Sequence, residues 1–264
     1  MSFESYLKSL GKTENTIAAY LYTVKLYYES FSELDENSIA AFKTVLIDSY
    51  RPRTVNLRIS AMNAFLKYKG CTIRMHSVKY QQQTYLDNVI SFADYECLKN
   101  SLLSDENYLW YFIVRFLGST GSRINELLQF KVEHIKIGYM DIYSKGGKIR
   151  RIYIPISLQK DATNWLDSTG KSTGFLFINT KGHLLSAKGI SSQLKKLAIK
   201  YGVDSSVVYP HSFRHMFAKT FMQRYNDISL LADLLGHESI ETTRIYLRMS
   251  SNEQRDIVNR TVDW

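Results

Sequence analysis

The sequence predicts a mainly α-helical (α+β) protein of two domains, the second carrying a small three-stranded antiparallel sheet. Only three prolines, Pro52, Pro155 and Pro210, interrupt the 264 residues, and long stretches repeat their apolar residues at the 3.6-residue helical period. Three short β-rich runs lie close together, two of them separated by Ser144-Lys-Gly-Gly-Lys148, which has the glycines a hairpin turn needs. With 45% apolar residues, a chain of this length buries one large core or two modest ones, which excludes a disordered protein.

The first helix is expected over residues 3–10. The second follows Thr13 and places Ile17, Tyr20, Leu21, Val24, Tyr27, Tyr28 and Phe31 along one face. A third covers 39–47. The fourth opens at Pro52, whose missing N–H costs nothing in a first turn. It carries Val55, Ile59, Met62 and Leu66 before stopping at Gly70. Residues 71–84 hold Lys79-Tyr-Gln-Gln-Gln83 and no apolar period, and read as a linker. Domains are therefore expected at 1–80 and 81–264. Beyond the linker, helices are expected at 91–103 and 107–117, and from near Ser122. Strands are expected at 132–137, 139–143 and 149–154. Helices resume at 158–166, 190–201, 212–224, 228–235 and 240–247, with a last one near 252–262.

Charge points to the class of partner. Lys and Arg number 34 against 25 Asp and Glu, a formal charge of +9, which favours a polyanion. Residues 1–82 hold 11 basic and 7 acidic side chains and residues 83–264 hold 23 and 18, so both parts are basic and suited to one polyanion. Cys71 and Cys97 form no C-x-x-C pair and no disulfide framework. The N-terminus has an early Glu4 and no apolar core of a signal peptide. The most apolar run, 108–117, is broken by Arg115 and is half the roughly 20 residues a membrane span needs. A soluble protein of the reducing cytoplasm, with no membrane partner, is expected.

Four segments concentrate residues that a helical core does not require. In Gly118-Ser-Thr-Gly-Ser-Arg-Ile-Asn-Glu-Leu-Leu128, Thr120 or Ser122 can cap a helix whose first turn holds Arg123, bringing a guanidinium and free backbone amides to one anion-sized place. The hairpin 144–148 presents Lys145, and its spacing is not that of a P-loop. The third segment is His211-Ser-Phe-Arg-His215. The fourth is Leu235-Gly-His-Glu-Ser-Ile-Glu-Thr-Thr-Arg-Ile-Tyr-Leu247. Taken singly, each has a plain structural explanation: Arg123 and Glu126 as surface residues, Lys145 as a solvated turn, Tyr246 as one of nineteen tyrosines in core or rim packing.

Zinc on His211, His215 and His237 is the first chemistry to weigh. Ser212 stands where H-E-x-x-H has its glutamate, and Arg214 sets a permanent cation between two of the would-be ligands. No metal is expected. Attack on a phosphodiester suits the set better. Its pentacoordinate transition state gathers negative charge on the non-bridging oxygens, which Arg123 and Arg214 can each meet with a planar fork. Tyr246 is the candidate nucleophile, forming a phosphotyrosine ester. A phenol with pKa near 10 needs a base or local positive charge. His211 can take that proton, His237 can donate to a phosphate oxygen, and Lys145 can protonate the departing sugar oxygen. The ester conserves the bond energy, so no cofactor is required.

These residues also resemble the tyrosine recombinase (phage integrase) family, and its compact Xer-like members most. Thr120 to Leu127 matches the family's Thr-Gly-x-Arg-x-x-Glu-Leu block, and His211 to His215 its His-x-x-Arg-His block. Leu235 to Tyr246 matches Leu-Gly-His…Thr-Thr-x-x-Tyr, and Lys145 the hairpin lysine. Asn15-Thr-Ile-Ala-Ala-Tyr20 and Arg53-Thr-Val-Asn-Leu-Arg-Ile-Ser-Ala61 are similar to the helical core-binding domain. The resemblance implies a core-binding domain at 1–80 and a catalytic domain at 81–264, closing as a clamp on a double-stranded recombination site. Arg123, Lys145, His211, Arg214, His237 and Tyr246 would be catalytic, and Arg53, Asn56 and Arg58 candidates for DNA contact. It further implies a homotetramer, or an assembly with a partner recombinase, that cleaves through a 3′-phosphotyrosine and passes through a Holliday junction, with the terminal helix docking on a neighbouring protomer. No arm-binding domain and no large insertion between Lys145 and His211 are seen, unlike the larger phage and integron enzymes.

Three alternatives stay open at this level: a non-catalytic DNA-binding relative, a type IB topoisomerase-like nicking enzyme, and an unrelated helical metalloprotein. The intact tyrosine and arginines count against the first, the core-binding likeness and the segment beyond Tyr246 against the second. If the basic surface is a DNA footprint, affinity for duplex DNA measured by fluorescence anisotropy falls steeply between about 50 and 200 mM salt. A salt-independent affinity would remove that reading.

Overall fold

Ser2, Thr13 and Asp35 each sit in extended backbone and accept a hydrogen bond from the N–H three residues on, and this sets where the first three helices start. The computed structural model describes residues 1–80, 88–143, 149–237, 240–244 and 251–262. It divides into two compact units, Met1–Gln82 and Gln83–Trp264.

The first unit is built from α1 (Phe3–Ser9), α2 (Glu14–Tyr28), α3 (Glu36–Ser49) and α4 (Pro52–Tyr68), with Pro52 in the first turn of α4. Its core joins Leu7, Ile17, Phe42, Leu46, Ile59 and Met62, among others. The apolar face expected of α2 is only partly the buried one. Tyr27 is fully buried, whereas Tyr28 is 44% exposed and Leu21, Val24 and Phe31 pack at the margin. The Tyr27 hydroxyl donates to the Glu33 carbonyl and lies 2.7 Å from Ser38 Oγ, tying the α2–α3 turn to the core.

The segment read as a linker belongs in part to this unit. Met75 is buried, and Asn63 holds it from both sides, Nδ2 donating to the Met75 carbonyl at 2.9 Å and Oδ1 accepting its N–H at 2.8 Å. Asn56 does the same for Val78, at 3.0 and 2.8 Å. Two α4 asparagines thus take the place of a strand partner for an otherwise unpaired backbone. Their periodicity in sequence does not reveal this, because the partner is an irregular segment.

The second unit gathers around α6 (Tyr108–Thr120), which packs against α5 (Phe92–Ser104), α9 (Ile156–Thr169) and α11 (Pro210–Tyr225). Phe116 meets Phe130 and Phe177 edge-on at centroid distances of 5.0 and 5.5 Å, and Phe112 stacks on Trp165 at 4.5 Å. Short α7 (Ile124–Leu127) stands where a helix from near Ser122 was expected. The remaining helices are α8 (Val132–Ile137), α10 (Ala187–Lys200), α12 (Ile228–Leu235), α13 (Ile240–Arg244) and α14 (Ser251–Thr261). The end of the helix expected at 240–247 lies outside the described residues. Segment 88–90 is pinned to α11: Ile90 N–H donates to buried Ser212 Oγ at 2.7 Å, and Tyr209 hydroxyl to the Asn88 carbonyl at 3.1 Å.

The sheet has two strands among the described residues, β1 (Tyr139–Tyr143) and β2 (Ile149–Tyr153), paired antiparallel with Tyr139 opposite Tyr153 and Tyr143 opposite Ile149. The three-stranded expectation fails at 132–137, which is α8. Its buried residues, Val132 and Ile135, are three apart, a helical spacing, while Ile137 is 55% exposed. A run of β-branched residues was outweighed by one turn's worth of core contact. The hairpin turn 144–148 lies outside the described residues.

Replacing Asn63 with alanine orphans the Met75 N–H and carbonyl and is expected to cost roughly 1–3 kcal/mol. All three tryptophans, Trp110, Trp165 and Trp264, belong to the second unit. In urea, Asn63→Ala is therefore expected to shift the first unit's transition seen by circular dichroism and to leave the tryptophan-fluorescence transition in place.

Candidate active site

Arg214 is 1% exposed, and its placement organises the site. It stands on α11, whose first turn is set by Pro210. Its Nη1 donates to the Gly121 carbonyl at 2.7 Å and its Nη2 to the Leu235 carbonyl at 2.6 Å. The same Nη2 lies 3.0 Å from His237 Nε2. Since a guanidinium only donates, Nε2 carries the lone pair and Nδ1–H donates to Thr243 Oγ1, 2.8 Å away and fully buried. This neutral tautomer turns an acceptor toward Arg214, so donation by His237 to a phosphate requires protonation or a change of tautomer.

Arg123 is not inside a helical first turn, as expected, but is the residue capping α7. Its backbone N–H is already taken by Glu126 Oε2 at 2.6 Å, and Thr120 hydroxyl bonds back to the Phe116 carbonyl at 2.6 Å. The guanidinium donates to Glu126 Oε1 at 2.8 Å, and the side chain remains 42% exposed. Glu126, read above as an ordinary surface carboxylate, is 6% exposed. Burial alone would raise its pKa, but Arg150 and Arg123 outweigh it and hold the carboxyl below the usual carboxylate range.

Arg150, on β2, is the residue that motif reading missed. It is 8% exposed, donates through Nη1 to Glu126 Oε1 at 2.8 Å and through Nε to the Leu234 carbonyl at 2.8 Å. A signal existed. Strand alternation puts position 150 on the same face as Ile152 and Ile154, both buried. Gly236 makes room for it: with φ +63°, it has a left-handed backbone, and a Cβ there would lie 2.2 Å from Arg150 Cδ.

His211 stands one turn before His215, the two rings edge-to-face at 4.8 Å. Desolvation, then Arg214 and Arg123, push His211 below its ordinary pKa. Burial, then His211 and Arg214, bring His215 down to about 4, and burial with Arg214 does the same for His237. Among the described residues no group of three His, Cys, Asp or Glu side chains is placed to hold a metal. The Arg214 guanidinium sits where a cation on His237 Nε2 would have to be. Arg123, Gly236 and His237 line a cleft of about 840 Å³ with Arg151, Tyr153 and Asp233. Two guanidiniums on one carboxylate, a third locked on backbone carbonyls, and neutral imidazoles beside them make a site for an anion that also needs proton transfer.

Four of the six expected catalytic positions, Arg123, His211, Arg214 and His237, belong to this one locality, linked by contact or by the mutual electrostatics above. Lys145 and Tyr246 lie outside the described residues. In the first unit Arg53 is exposed, but the other two candidates for DNA contact have duties in the fold. Asn56 holds Val78, and Arg58 lies between the Tyr22 and Tyr50 rings, 4.9 and 4.5 Å from their centroids, with Nη1 on Thr23.

Comparison with known proteins matches residues 88–253 to the phage integrase family. Tyrosine recombinase XerA of Pyrococcus furiosus is 29% identical over 266 residues, covering 98% of this chain and 92% of that protein. Among solved structures, XerH recombinase bound to its difH substrate before cleavage superposes with a TM-score of 0.69 at 22% identity, covering 92% of this chain and 78% of that one. A lambda integrase tetramer bound to a Holliday junction gives 0.72 at 19% identity, covering 92% and 74%. At these identities the structures speak to the fold alone. Among the described residues no helix is long and apolar enough to cross a membrane.

All three site histidines have folded pKa values below the ordinary 6.5. The unfolded chain therefore binds more protons in that window, so their contribution to stability is whole above pH 6.5 and is lost as pH falls toward about 4. The melting temperature is expected to drop between pH 6.5 and about pH 5, and less steeply in His215→Gln. Equal slopes would contradict this.

Proposed function

The chain belongs to the phage integrase family, and from that membership we propose a site-specific DNA recombinase that breaks and rejoins strands through a tyrosyl phosphodiester. The observation that carries the reading is the anion site itself: buried Arg214 locked by two backbone carbonyls, with the half-exposed Arg123 beside it.

In this reading Arg123 and Arg214 hold the non-bridging oxygens of the scissile phosphate and stabilise charge as it grows there. His211, kept neutral by burial and by its cationic neighbours, accepts the phenolic proton of Tyr246 as that oxygen attacks phosphorus. The phosphorus–5′-oxygen bond breaks, Lys145 delivers a proton to the departing oxygen, and the 3′-phosphate remains on Tyr246. Attack by a 5′-hydroxyl of a partner duplex reverses the chemistry and produces an exchanged strand. His237 orients Arg214 in the resting state and turns to the phosphate once charge develops. No step requires a cofactor.

Residues 1–80 would serve as the core-binding domain and 81–264 as the catalytic domain. Arg53, Asn56 and Arg58 remain the candidates for DNA contact in the first. By analogy with the lambda integrase tetramer on its junction, two duplexes would be joined in an assembly of four protomers, alone or with a partner recombinase, on cytoplasmic DNA.

The test is covalent capture. Labelled duplexes from around the protein's own gene, incubated with EDTA, are expected to give an SDS-resistant adduct on the 3′ side of a break. Tyr246→Phe is expected to abolish it, and Arg214→Ala to reduce it by on the order of 100-fold or more. An adduct that survives Tyr246→Phe would displace the nucleophile, and the absence of any adduct on tightly bound DNA would favour a non-catalytic relative.

A further inference from the structure

One oxygen of Glu126 serves two arginines. Oε1 accepts from Arg123 Nη1 and from Arg150 Nη1, each at 2.8 Å. The two cations differ in access: the Arg123 side chain is 42% exposed, those of Arg150 and Glu126 only 8% and 9%. A carboxylate this buried must be neutralised. Were Arg123 its sole partner, the pair would carry no net charge, and the guanidinium facing the cleft would be held back by its own neighbour. Arg150 is too buried to meet a phosphate, and its Nε bond to the Leu234 carbonyl holds it against Glu126.

We propose that Arg150 is a positioning residue for strand cleavage, neutralising Glu126 so that Arg123 keeps its positive charge for the scissile phosphate. The inference rests on the recombinase reading above. It assigns Glu126 the task of orienting Arg123 through the backbone N–H and the guanidinium together, and Arg150 the task of cancelling what that orientation costs. Lysine at 150 would preserve the charge without the fork; glutamine would preserve only hydrogen bonding.

Wild type, R150Q, R150K, E126Q and the double variant R150Q/E126Q are compared on a duplex that the wild type captures covalently. Single-turnover adduct formation is followed at saturating protein, DNA affinity by anisotropy and folding by thermal melting. With DNA affinity within about threefold of wild type, R150Q is expected to form adduct on the order of 100-fold more slowly. R150K stays within about tenfold of wild type, and the double variant is at least about tenfold faster than R150Q, since no bare carboxylate then draws Arg123 inward.

R150Q at the wild-type rate, a double variant no faster than R150Q, or a loss explained by DNA affinity alone would overturn the proposal. Should R150Q not fold, the double variant is set against E126Q. Rates within about threefold are expected, and a rate more than about tenfold lower overturns it. A wild type that captures no DNA would end the recombinase reading and this inference with it, whereas indifferent Arg150 variants beside an active wild type would end this inference alone.

Discussion

The second unit depends on one buried guanidinium. Arg214 reaches from α11 to the carbonyl of Gly121, where α6 ends, and to the carbonyl of Leu235, where α12 ends. Both are carbonyls at helix C-termini, where intrahelical partners run out, and both lie at the negative ends of their helices. A fixed cation is the natural group to satisfy them, and arginine alone keeps its charge when so deeply buried. The three segments that carry Arg123, Arg214 and His237 are thereby held in one register. In the proposed reading, anion binding and folding use the same side chain.

Around that centre, charge and proton traffic are separated. The positive potential comes from guanidiniums, which stay protonated at any pH the chain survives. The imidazoles, by contrast, are kept neutral by burial and by those same cations, His215 and His237 down to about 4. In the proposed mechanism, the groups that would hold the anion are therefore not those that would exchange protons. Glu126 adds the counterweight, ionised despite burial because two arginines face it.

Much of this was legible in the amino-acid order, wherever one local rule governed. Capping residues and 3.6-residue periodicity located α1 to α6 and α9 to α12, and the motif blocks pointed to Arg123, His211, Arg214 and His237. The rest was hidden for identifiable reasons. Residues 132–137 carry β-branched side chains in a stretch whose burial spacing is helical, and tertiary contact decided between them. Residues 71–78 show no period because their partners are two asparagine side chains on α4. Asn56 and Arg58, read as candidates for DNA contact, also have fold contacts that their spacing does not reveal, one with backbone and the other with tyrosine rings. Arg150 escaped because a charged residue on a short strand reads as solvent-facing unless the alternation with Ile152 and Ile154 is taken at its word.

Gly121 and Gly236 extend the site to positions with no reactive atom. Each has a left-handed backbone, and an added Cβ would fall 2.6 Å from the Phe217 ring at Gly121 and 2.2 Å from Arg150 at Gly236. In a genetic screen, substitutions there would be scored alongside those of the proposed reacting residues, although neither glycine has a side chain to react. The mutational target for loss of function is thus wider than the chemistry. It includes the empty space that two hydrogen atoms leave for an arginine and a phenyl ring.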